Sequence, residues 1–418
     1  MKLASLNNKS IRTLLFIWAA WVVIIIGFQT LADARLIDVK RPDNAREWTP
    51  EETGKNSVKD RIYLNEPFMN RQVSFDSEYY LSIAINGYDD TAVTQMQTRG
   101  GTKISLNHAF FPFYPALMSL MDAPLGILGM NPIATATLAG VIVSILGTLL
   151  AMFSLYILTR DELEESGGIR TAFYLLIFPS GLFLAQVFTE GLFVGLAFGC
   201  LALLRYKKIF WAGVLAALAT WTRAIGLALM IPLALTWLST LDWRSIREKR
   251  LDILRPYVPH VLGLVAIFLP VVAYLIWNHF LGKPFNTVEE QYFGHKLFDL
   301  KNSFEGWKKL FEGISGGNLQ ERVYNLLEVS SVIIAVLACL LTLRRYPGIA
   351  LFGLLAVAVS ALSGDPQSMI RYVLAVPSIY ILLSRWGRSQ AFDRAWTLAS
   401  VLVMGLLTIL YTFNMWVA

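Results

Sequence analysis

Long apolar runs limit what this chain can fold into more than any single motif does. Runs such as 14–31, 133–158 and 258–280 are each long enough, at about 20 residues, for a helix to cross a bilayer. Backbone groups find no water inside a bilayer, so such runs fold as helices. Of the 418 residues, 55% are hydrophobic and 16% are charged, whereas a soluble domain carries about 25% charged residues. The sequence therefore predicts an all-α integral membrane protein and excludes a soluble or disordered one.

The apolar runs predict about eleven spans in one polytopic domain that covers residues 1–418. Several runs are short and flank polar turns at Glu190 and Arg223, which predicts helices that break near one face beside a cavity. We favour a retained first helix over a cleaved signal peptide because its apolar core is long, although Ala32-Asp33-Ala34 resembles a cleavage site. The predicted spans are 14–31, 133–158, 171–188, 192–204, 209–221, 225–237, 258–280, 326–343, 349–362, 372–383 and 396–417.

The distribution of Lys and Arg predicts the orientation of these spans. If the amino-terminal tail with Lys9 and Arg12 is cytoplasmic and the runs alternate, every short loop with clustered positive charge is cytoplasmic. The preference for Lys and Arg in cytoplasmic loops explains the net charge of +6, so nucleic-acid binding is not expected. The exported face then receives segments 32–132 and 281–325 and the short turns at Glu190, Arg223 and 363–371. The cytoplasmic charges are Arg160, Arg170, Arg205, Lys207, Lys208, Arg244, Arg247, Lys249, Arg250, Arg255, Arg344, Arg345, Arg385, Arg388 and Arg394.

The first exported segment, 32–132, contains a predicted amphipathic helix over 79–86 that rests on the membrane surface. Asp76 stands where a helix N-cap belongs, and Gly87 stands where a helix stops. Residues 89–107 have the composition of a loop. The apolar stretch 110–130 is predicted to lie at or dip into the outer interface without crossing. It is interrupted by Pro112, Pro115, Asp122 and Pro124.

The second exported segment, 281–325, contains a second predicted interfacial helix over 300–311. Its apolar residues recur at helical spacing, with lysines on the other faces, and a glycine pair closes it. We expect this helix and the helix at 79–86 to cover the candidate site and exclude water. The apolar residues are Leu300, Phe304, Trp307 and Phe311, and the closing pair is Gly316 and Gly317.

Four ionisable residues mark the candidate site: Asp76, Glu190, Arg223 and Arg371 all fall on the exported face beside apolar helices. Such charges are costly in a membrane bundle unless they are paired or hydrated, so each is a candidate functional residue. Simpler roles stay open. Asp76 can cap a helix, Glu190 can pair with Arg223, and both arginines can reach lipid headgroups. Clustering on one face favours a single site at the outer membrane surface.

Residues that would indicate other chemistry are scarce. Cys200 and Cys339 lie in apolar runs, so neither a disulfide framework nor a cysteine metal site is expected. The four histidines are well separated, and His108 beside Phe110 and Phe111 is more typical of a packed interfacial residue. The sequence has no glycine-rich phosphate loop, nucleophile elbow or HExxH motif. We therefore expect neither a metal nor a cofactor.

Five segments together resemble the GPI mannosyltransferase 2 (PIG-V) family, whose members are GT-C fold glycosyltransferases that use a lipid-phosphate-linked sugar. The segments occur in the family's order and span most of the chain. One departure is Phe75, because the family usually has Trp before the first-loop aspartate. The segments are FDSEYYLSIAINGY (75–88), HAFFPFYPAL (108–117), FPSGLFLAQVFTEGLF (178–193), ALATWTRAIGLAL (217–229) and IRYVLAVPS (370–378).

The resemblance implies an inverting single displacement in which Asp76 is the general base for the acceptor hydroxyl. A lipid phosphate is a good leaving group, so neither a second carboxyl as general acid nor a covalent intermediate is expected. An arginine would stabilise the departing phosphate, with Arg371 the first choice and Arg223 the second. Glu190 would orient an arginine or bind sugar hydroxyls. The remaining predicted donor-site residues are Tyr372, His108 and Tyr79.

The implied donor is polyprenyl- or dolichyl-phosphate mannose, and the implied acceptor is a lipid or glycan on the exported face. In eukaryotic relatives the acceptor is a GPI precursor in the endoplasmic reticulum, whereas the short loops favour a prokaryotic relative in the plasma membrane. Four alternatives stay open: another lipid-linked sugar, transfer to protein, a transporter or lipid flippase, and an assembly subunit without activity. A transporter predicts inverted repeats and ionisable groups near the bilayer midplane, and the sequence has neither.

Overall fold

The computed structural model is almost entirely helical, as the sequence predicts. Helices account for nearly all secondary structure in the described part of the chain, and the one sheet there is a pair of three-residue strands. The described residues are 7–36, 43–54, 57–98, 100–241, 257–294, 296 and 299–417. The predicted cytoplasmic charges from Arg244 to Arg255 lie outside them.

The described part of the chain contains fifteen α-helices and two strands, besides short 3-10 and π-helical turns. In chain order they are α1 (Asn8–Leu36), α2 (Thr49–Thr53), α3 (Ser77–Asn86), β1 (Gln95–Gln97), β2 (Lys103–Ser105), α4 (Phe113–Leu125), α5 (Pro132–Leu176), α6 (Glu190–Arg205), α7 (Ile209–Thr222), α8 (Met230–Leu238), α9 (Tyr257–Val288), α10 (Leu300–Gly316), α11 (Leu319–Leu343), α12 (Pro347–Ala361), α13 (Met369–Tyr372), α14 (Pro377–Trp386) and α15 (Gln390–Thr412).

Within the described ranges, five helices are long and apolar enough to cross a membrane: α1, α5, α9 over Val261–Phe280, α11 and α15. In the most apolar 18-residue stretch of α1, only 22% of the residues are buried, and the corresponding share in α15 is 28%. Side chains such as Phe16 and Val23 therefore face outward. Large outward apolar faces are typical of helices in contact with lipid. The chain is therefore an integral, multi-pass membrane protein. The count of eleven stays a prediction, with four shorter apolar helices at Phe113–Leu128, Ile209–Thr222, Ala224–Leu238 and Pro347–Ala361.

The predicted helix over 171–188 is wrong beyond Leu176, where α5 ends. α5 first turns at Glu164, whose φ of 63° is not helical, and so contains the predicted run 133–158 and the start of the next. After Leu176 the chain follows an irregular path with a 3-10 turn over Gly181–Ala185 until α6 begins. Pro179 lacks the N–H that a helix interior needs, which explains the break. The predicted interruption beside Glu190 is thus confirmed.

Two further predicted spans begin later than expected as α-helix. The run 225–237 starts with a 3-10 turn over Ala224–Leu229, and only α8 is α-helical. The run 372–383 starts with α13 and a 3-10 turn over Val373–Ala375, and the continuous helix begins only at Pro377. Pro at the first helical position is favourable because its missing N–H would be unpaired there anyway. Both breaks lie at the candidate site.

The helix predicted to rest on the membrane surface over 79–86 is instead buried over most of its length. α3 starts at Ser77, and all of its residues from Ser77 to Ile83 are buried, including the charged Glu78. It packs on α4 and α5, and 3-10 turns at Ile62–Leu64 and Leu106–Ala109 cover its other sides. These turns come from distant parts of segment 32–132, so the local pattern carried no sign of them. The stop at Gly87 is confirmed, with a φ of 83°.

Residues 89–107, predicted as a loop, contain a short antiparallel hairpin. β1 and β2 pair with Met96 opposite Ile104, and Gly101 in the turn has a φ of 83°. Each strand has only three residues. Such short strands give too little alternation of polar and apolar residues to be recognised in a sequence.

The second predicted interfacial helix is confirmed as a helix with an exposed apolar face. α10 begins at Leu300 and ends at Gly316, and Leu300, Phe304 and Phe311 are 62%, 72% and 55% exposed. Its opposite face is packed so closely on the turn at 363–367 that a Cβ on Gly306 would lie 2.6 Å from Pro366 Cδ. α10 therefore supports that turn from outside.

Basic residues gather at the end of the bundle opposite Glu190. Arg205, at the far end of α6, binds Asp161 and donates to the Leu158 carbonyl over 2.7 Å. Glu162, near the bend in α5, binds Arg345 and Arg385, each over 2.8 Å. Several of the predicted cytoplasmic clusters therefore share one end of the bundle, and the cytoplasmic location of that end stays a prediction of the positive-inside bias.

Small residues let α5 and α6 approach closely, and this contact carries Glu190 at the start of α6. A Cβ on Gly147 of α5 would lie 2.5 Å from the Gly191 carbonyl oxygen and from Leu192 Cα. Gly195 abuts the Gly147 backbone in the same way. Stripes of small residues are a common basis of helix packing in membranes, because they permit backbone contact.

We expect Gly147→Ala to lower the thermal stability of the purified protein by about 1–3 kcal/mol, because its Cβ meets backbone atoms that cannot move aside. The matched control is Gly27→Ala in α1, where an added Cβ has no atom within 4 Å. Thermal unfolding of both variants in detergent measures the effect. Equal melting temperatures for the two variants would contradict the close contact.

Candidate active site

Asp76 lies just before α3, but its side chain does not cap the helix. The residue occupies the N-cap position with no side-chain capping hydrogen bond. Its Oδ2 instead accepts from Arg371 Nη1 over 3.0 Å, and 27% of the side chain is exposed. The capping role that the sequence left open is therefore replaced by an ion pair across the bundle.

The backbone before Asp76 is strained and firmly held. Phe75 has a φ of 46°, in the left-handed region that non-glycine residues rarely adopt. Its ring packs edge-on against Trp416 with centroids 5.0 Å apart, and the Ser74 hydroxyl donates to Asn414 Oδ1 over 2.5 Å. The Phe75 ring is thus a packing element of this loop. Strained backbone persists only where its surroundings support it, which here fixes the direction of Asp76.

Arg371 is the buried centre of the site. It lies on the four-residue helix α13, and only 8% of its side chain is exposed. Besides Asp76 it contacts Glu190, with Nε 3.2 Å from Oε1. The rings of Phe188 and Tyr372 lie 5.2 and 5.3 Å from its guanidinium carbon, within the range of cation–π attraction. One guanidinium therefore joins two acidic residues from different parts of the chain.

Glu190 joins the two arginines. It is the first residue of α6 and is almost fully buried, and its Oε1 contacts both Arg371 and Arg223. Arg223 follows α7 in extended conformation and stacks over the Tyr372 ring at 4.8 Å. The other Glu190 oxygen, Oε2, has no hydrogen-bond partner among the described residues. The two acidic and two basic side chains form one connected cluster in which formal charges balance.

The cluster lines a cavity of about 760 Å³. Polar and apolar side chains both line it, and the apolar ones come from α6, the Ala224–Leu229 turn, α12, the turn after α13 and the segments around Phe110 and Phe285. The polar lining residues include Asp76, Tyr80, Thr189, Glu190, Thr222, Arg223, Asn286, Glu289, Glu290, Lys296, Ser363, Asp365, Gln367, Arg371 and Tyr372. The apolar ones include Phe193, Val194, Ile225, Leu227, Ala228, Leu355, Val359, Leu374 and Ala375.

Five of the seven predicted site residues line this cavity: Asp76, Glu190, Arg223, Arg371 and Tyr372. The other two, Tyr79 and His108, are not among its lining residues. Tyr79 stacks on Phe110 with centroids 4.8 Å apart, and His108 Nε2 lies 3.2 Å from Asp89 Oδ1. Both are buried packing residues, as the simpler interpretation of His108 expected.

Several cavity residues escaped the sequence analysis. Tyr80 replaces Tyr79, and a signal for it existed because a residue four positions after Asp76 lies on the same face of a helix. Glu290, Lys296 and Asp365 come from the segment after α9 and from the turn after α12. No local spacing marks them, since only the tertiary fold brings these segments to the cavity.

Comparison with known proteins gives limited similarity. No family model and no curated protein matches the sequence. Among solved structures, the Archaeoglobus fulgidus oligosaccharyltransferase in complex with Zn and sulfate is 15% identical with a TM-score of 0.43, over 88% of this chain and 53% of its own. ArnT from Cupriavidus metallidurans, bound to undecaprenyl phosphate, is 14% identical with a TM-score of 0.40, over 94% and 76%. The chain thus spans about half the length of the archaeal enzyme. Similarity at this level assigns no residue and no activity to this chain.

A second buried carboxyl group, Glu78, lies on α3 close to the site but is not among the residues that line the cavity. Only 1% of its side chain is exposed, and its nearest cation is Arg61, whose Nη1 lies 3.7 Å away. Arg61 is also bound to Glu52 over 2.7 Å. Burial raises the pKa of Glu78 to about 7, because the partly shared Arg61 compensates only incompletely for lost hydration.

The raised pKa makes ionised Glu78 destabilising, so the protein loses stability as pH rises from about 4.5 through 7. We expect Glu78→Gln, which resembles the neutral acid, to be more stable than the wild type at pH 8 by about 1–3 kcal/mol. The advantage should shrink toward pH 5. Thermal unfolding across this pH range measures the difference, with the exposed Glu51→Gln as control. A gap between Glu78→Gln and wild type that does not change with pH would contradict the prediction.

Proposed function

We propose that the chain is a GT-C glycosyltransferase that moves mannose from a polyprenyl- or dolichyl-phosphate donor to an exported lipid or glycan acceptor, inverting the anomeric carbon. The observation that carries the proposal is the convergence of Asp76, Glu190, Arg223 and Arg371 on one cavity that also has an apolar wall. A lipid-phosphate-linked sugar has the matching parts: an anionic phosphate, a polyhydroxylated ring and a hydrocarbon tail.

The two arginines supply a place for the donor phosphate. Arg371 is the first candidate because it is buried beside Asp76, where a charge-assisted bond is stronger than in water. Arg223 is more exposed, with 21% of its side chain accessible, and it binds Glu190, which also contacts Arg371. An incoming phosphate competes with the two carboxylates for these guanidiniums. Negative charge that develops on the departing phosphate is then stabilised by groups already in place.

The same competition gives Asp76 its role. In the structure the carboxylate is bound to Arg371 over 3.0 Å. When the phosphate takes over Arg371, Asp76 is released to accept the proton of an acceptor hydroxyl as that oxygen attacks the anomeric carbon. Direct attack opposite the phosphate inverts this centre and forms no covalent enzyme intermediate. Glu190 Oε2, which has no hydrogen-bond partner in the described part of the chain, is suited to bind a sugar hydroxyl.

The apolar wall supports a donor that stays in the membrane. Phe193, Leu227, Leu355 and Val359 line the cavity. They lie on α6, the Ala224–Leu229 turn and α12, which pack against the apolar spans α5, α9 and α11. The ionisable cluster lies where helices begin, end or break, at the end of the bundle away from Glu162 and Arg205. This arrangement favours a site at one membrane surface over a transport path through the middle. By the positive-inside bias that surface is the exported one, of the plasma membrane in a prokaryote or of the endoplasmic reticulum in a eukaryote.

We expect Asp76→Asn to abolish transfer while leaving the protein folded, because the amide cannot take the acceptor proton. The assay incubates membranes that contain the chain with labelled polyprenyl-phosphate mannose and, in parallel, with other lipid-linked sugars. Asp60→Asn, which changes an exposed carboxylate of the same segment, is the control and should retain activity. Undiminished turnover by Asp76→Asn would remove Asp76 from the mechanism, and preference for another sugar would overturn the mannose assignment.

The two arginines should differ in effect when each is changed to glutamine. Arg371→Gln is expected to lower kcat by about 100- to 1,000-fold, because it removes the buried charge next to the reacting centre. Arg223→Gln should cost about 10-fold, since its guanidinium is more exposed and more remote from Asp76. Steady-state kinetics on purified variants gives both values. A larger loss for Arg223→Gln would reverse the assignment of the phosphate partner.

A further inference from the structure

A buried carboxylate outside the cavity, Glu328, lies within the apolar helix α11. Its side chain is fully buried, and it forms no ion pair with any residue in the described ranges. Its Oε1 also lacks a hydrogen-bond partner there. A buried charge of this kind is costly, and an apolar residue of similar size would often be as stable or more so. The position of Glu328 therefore calls for a local explanation.

The contacts of Glu328 lead to the turn that carries Arg371. Glu328 Oε2 accepts from the backbone N–H of Ile370 over 3.0 Å. Tyr324, one helical turn earlier on α11, accepts from the backbone N–H of Ser368 over 3.4 Å. From the break after α5, the Ser180 hydroxyl donates to the Ile370 carbonyl over 2.6 Å. Both backbone groups of Ile370 are thus bound by buried side chains from two other elements.

This turn needs such support. The helix α13 has only four residues, too few to be stable by its own hydrogen bonds. It starts after Ser368, whose φ of 61° is left-handed and strained. Arg371 follows Ile370 directly, and its guanidinium must reach Asp76 and Glu190 at 3.0 and 3.2 Å. A small rotation of the Ile370 backbone would move the guanidinium away from both partners.

We propose that Glu328 is a positioning residue for Arg371, since its buried carboxylate fixes the turn that presents the guanidinium to the cavity. The inference rests on the proposed function, in which Arg371 binds the donor phosphate. Glu328 touches neither the cavity nor the substrate and acts only through the Ile370 backbone. An acceptor oxygen at this position is the essential property, and the charge is not.

The test measures binding of polyprenyl phosphate to the purified full chain in nanodiscs, together with thermal unfolding. Glu328→Gln keeps a carbonyl oxygen for the Ile370 N–H, whereas Glu328→Leu removes it. We expect at least 10-fold weaker binding for Glu328→Leu and less than a 3-fold change for Glu328→Gln. Because an apolar side chain suits α11, Glu328→Leu should unfold within a few degrees of the wild type. Thr342→Val is the matched control, another buried polar residue of α11 that bonds Ser378 instead.

Each outcome separates the inference from the proposed function. Wild-type binding by Glu328→Leu, with weakened binding by Arg371→Gln, overturns the positioning role and leaves the proposed function intact. Equal weakening in Glu328→Gln and Glu328→Leu, in step with a fall in melting temperature, also overturns it in favour of a structural role. If the wild type does not bind polyprenyl phosphate, the proposed function itself fails. If Glu328→Leu does not fold, Glu328→Met, which also lacks the acceptor oxygen, is measured in its place, and unchanged binding by that variant overturns the inference.

Discussion

The ion pair between Asp76 and Arg371, extended through Glu190 to Arg223, is the interaction on which the site depends. Each charge would be costly alone at the edge of an apolar bundle, and together they balance. They meet because four helical elements begin or end at the same place: α3, α6, α7 and α13. A cluster of this kind is stable without substrate, yet an anion that competes for the arginines can rearrange it. In the proposed function, stability and chemistry thus rest on the same contacts.

The sequence predicted the general architecture and singled out the four residues of the charged cluster for clear physical reasons. Apolar length reveals spans, so the helices from α6 to α8 and from α11 to α12 begin or end close to their predicted bounds. The high cost of a charge within apolar surroundings singled out Glu190, Arg223 and Arg371 without any knowledge of their contacts. The sequence pattern predicted Asp76 as a helix cap, and the family resemblance predicted it as the general base. In the structure its side chain forms no capping bond and is paired with Arg371.

The remaining features depend on contacts between distant segments, which a local pattern does not contain. The sequence pattern of α3 is amphipathic, but α4, α5 and turns from elsewhere in segment 32–132 bury it from Ser77 to Ile83. Tyr79 and Tyr80 are adjacent and chemically identical, and both contact the Phe110 ring, yet only Tyr80 lines the cavity, a difference that the tertiary packing of α3 sets. Glu328 lies in an otherwise apolar run, and its link to Ile370 spans 42 residues of sequence. The GT-C assignment and the mannose donor remain proposals.

The most direct test of the account is an electron cryomicroscopy structure of the full chain in nanodiscs with bound polyprenyl phosphate. The account predicts the phosphate inside the cavity, within about 2.7–3.2 Å of the Arg371 guanidinium, with Asp76 displaced from that arginine and the lipid tail along the wall that contains Phe193 and Leu355. A phosphate bound at another surface, with the pair between Asp76 and Arg371 intact, would contradict it.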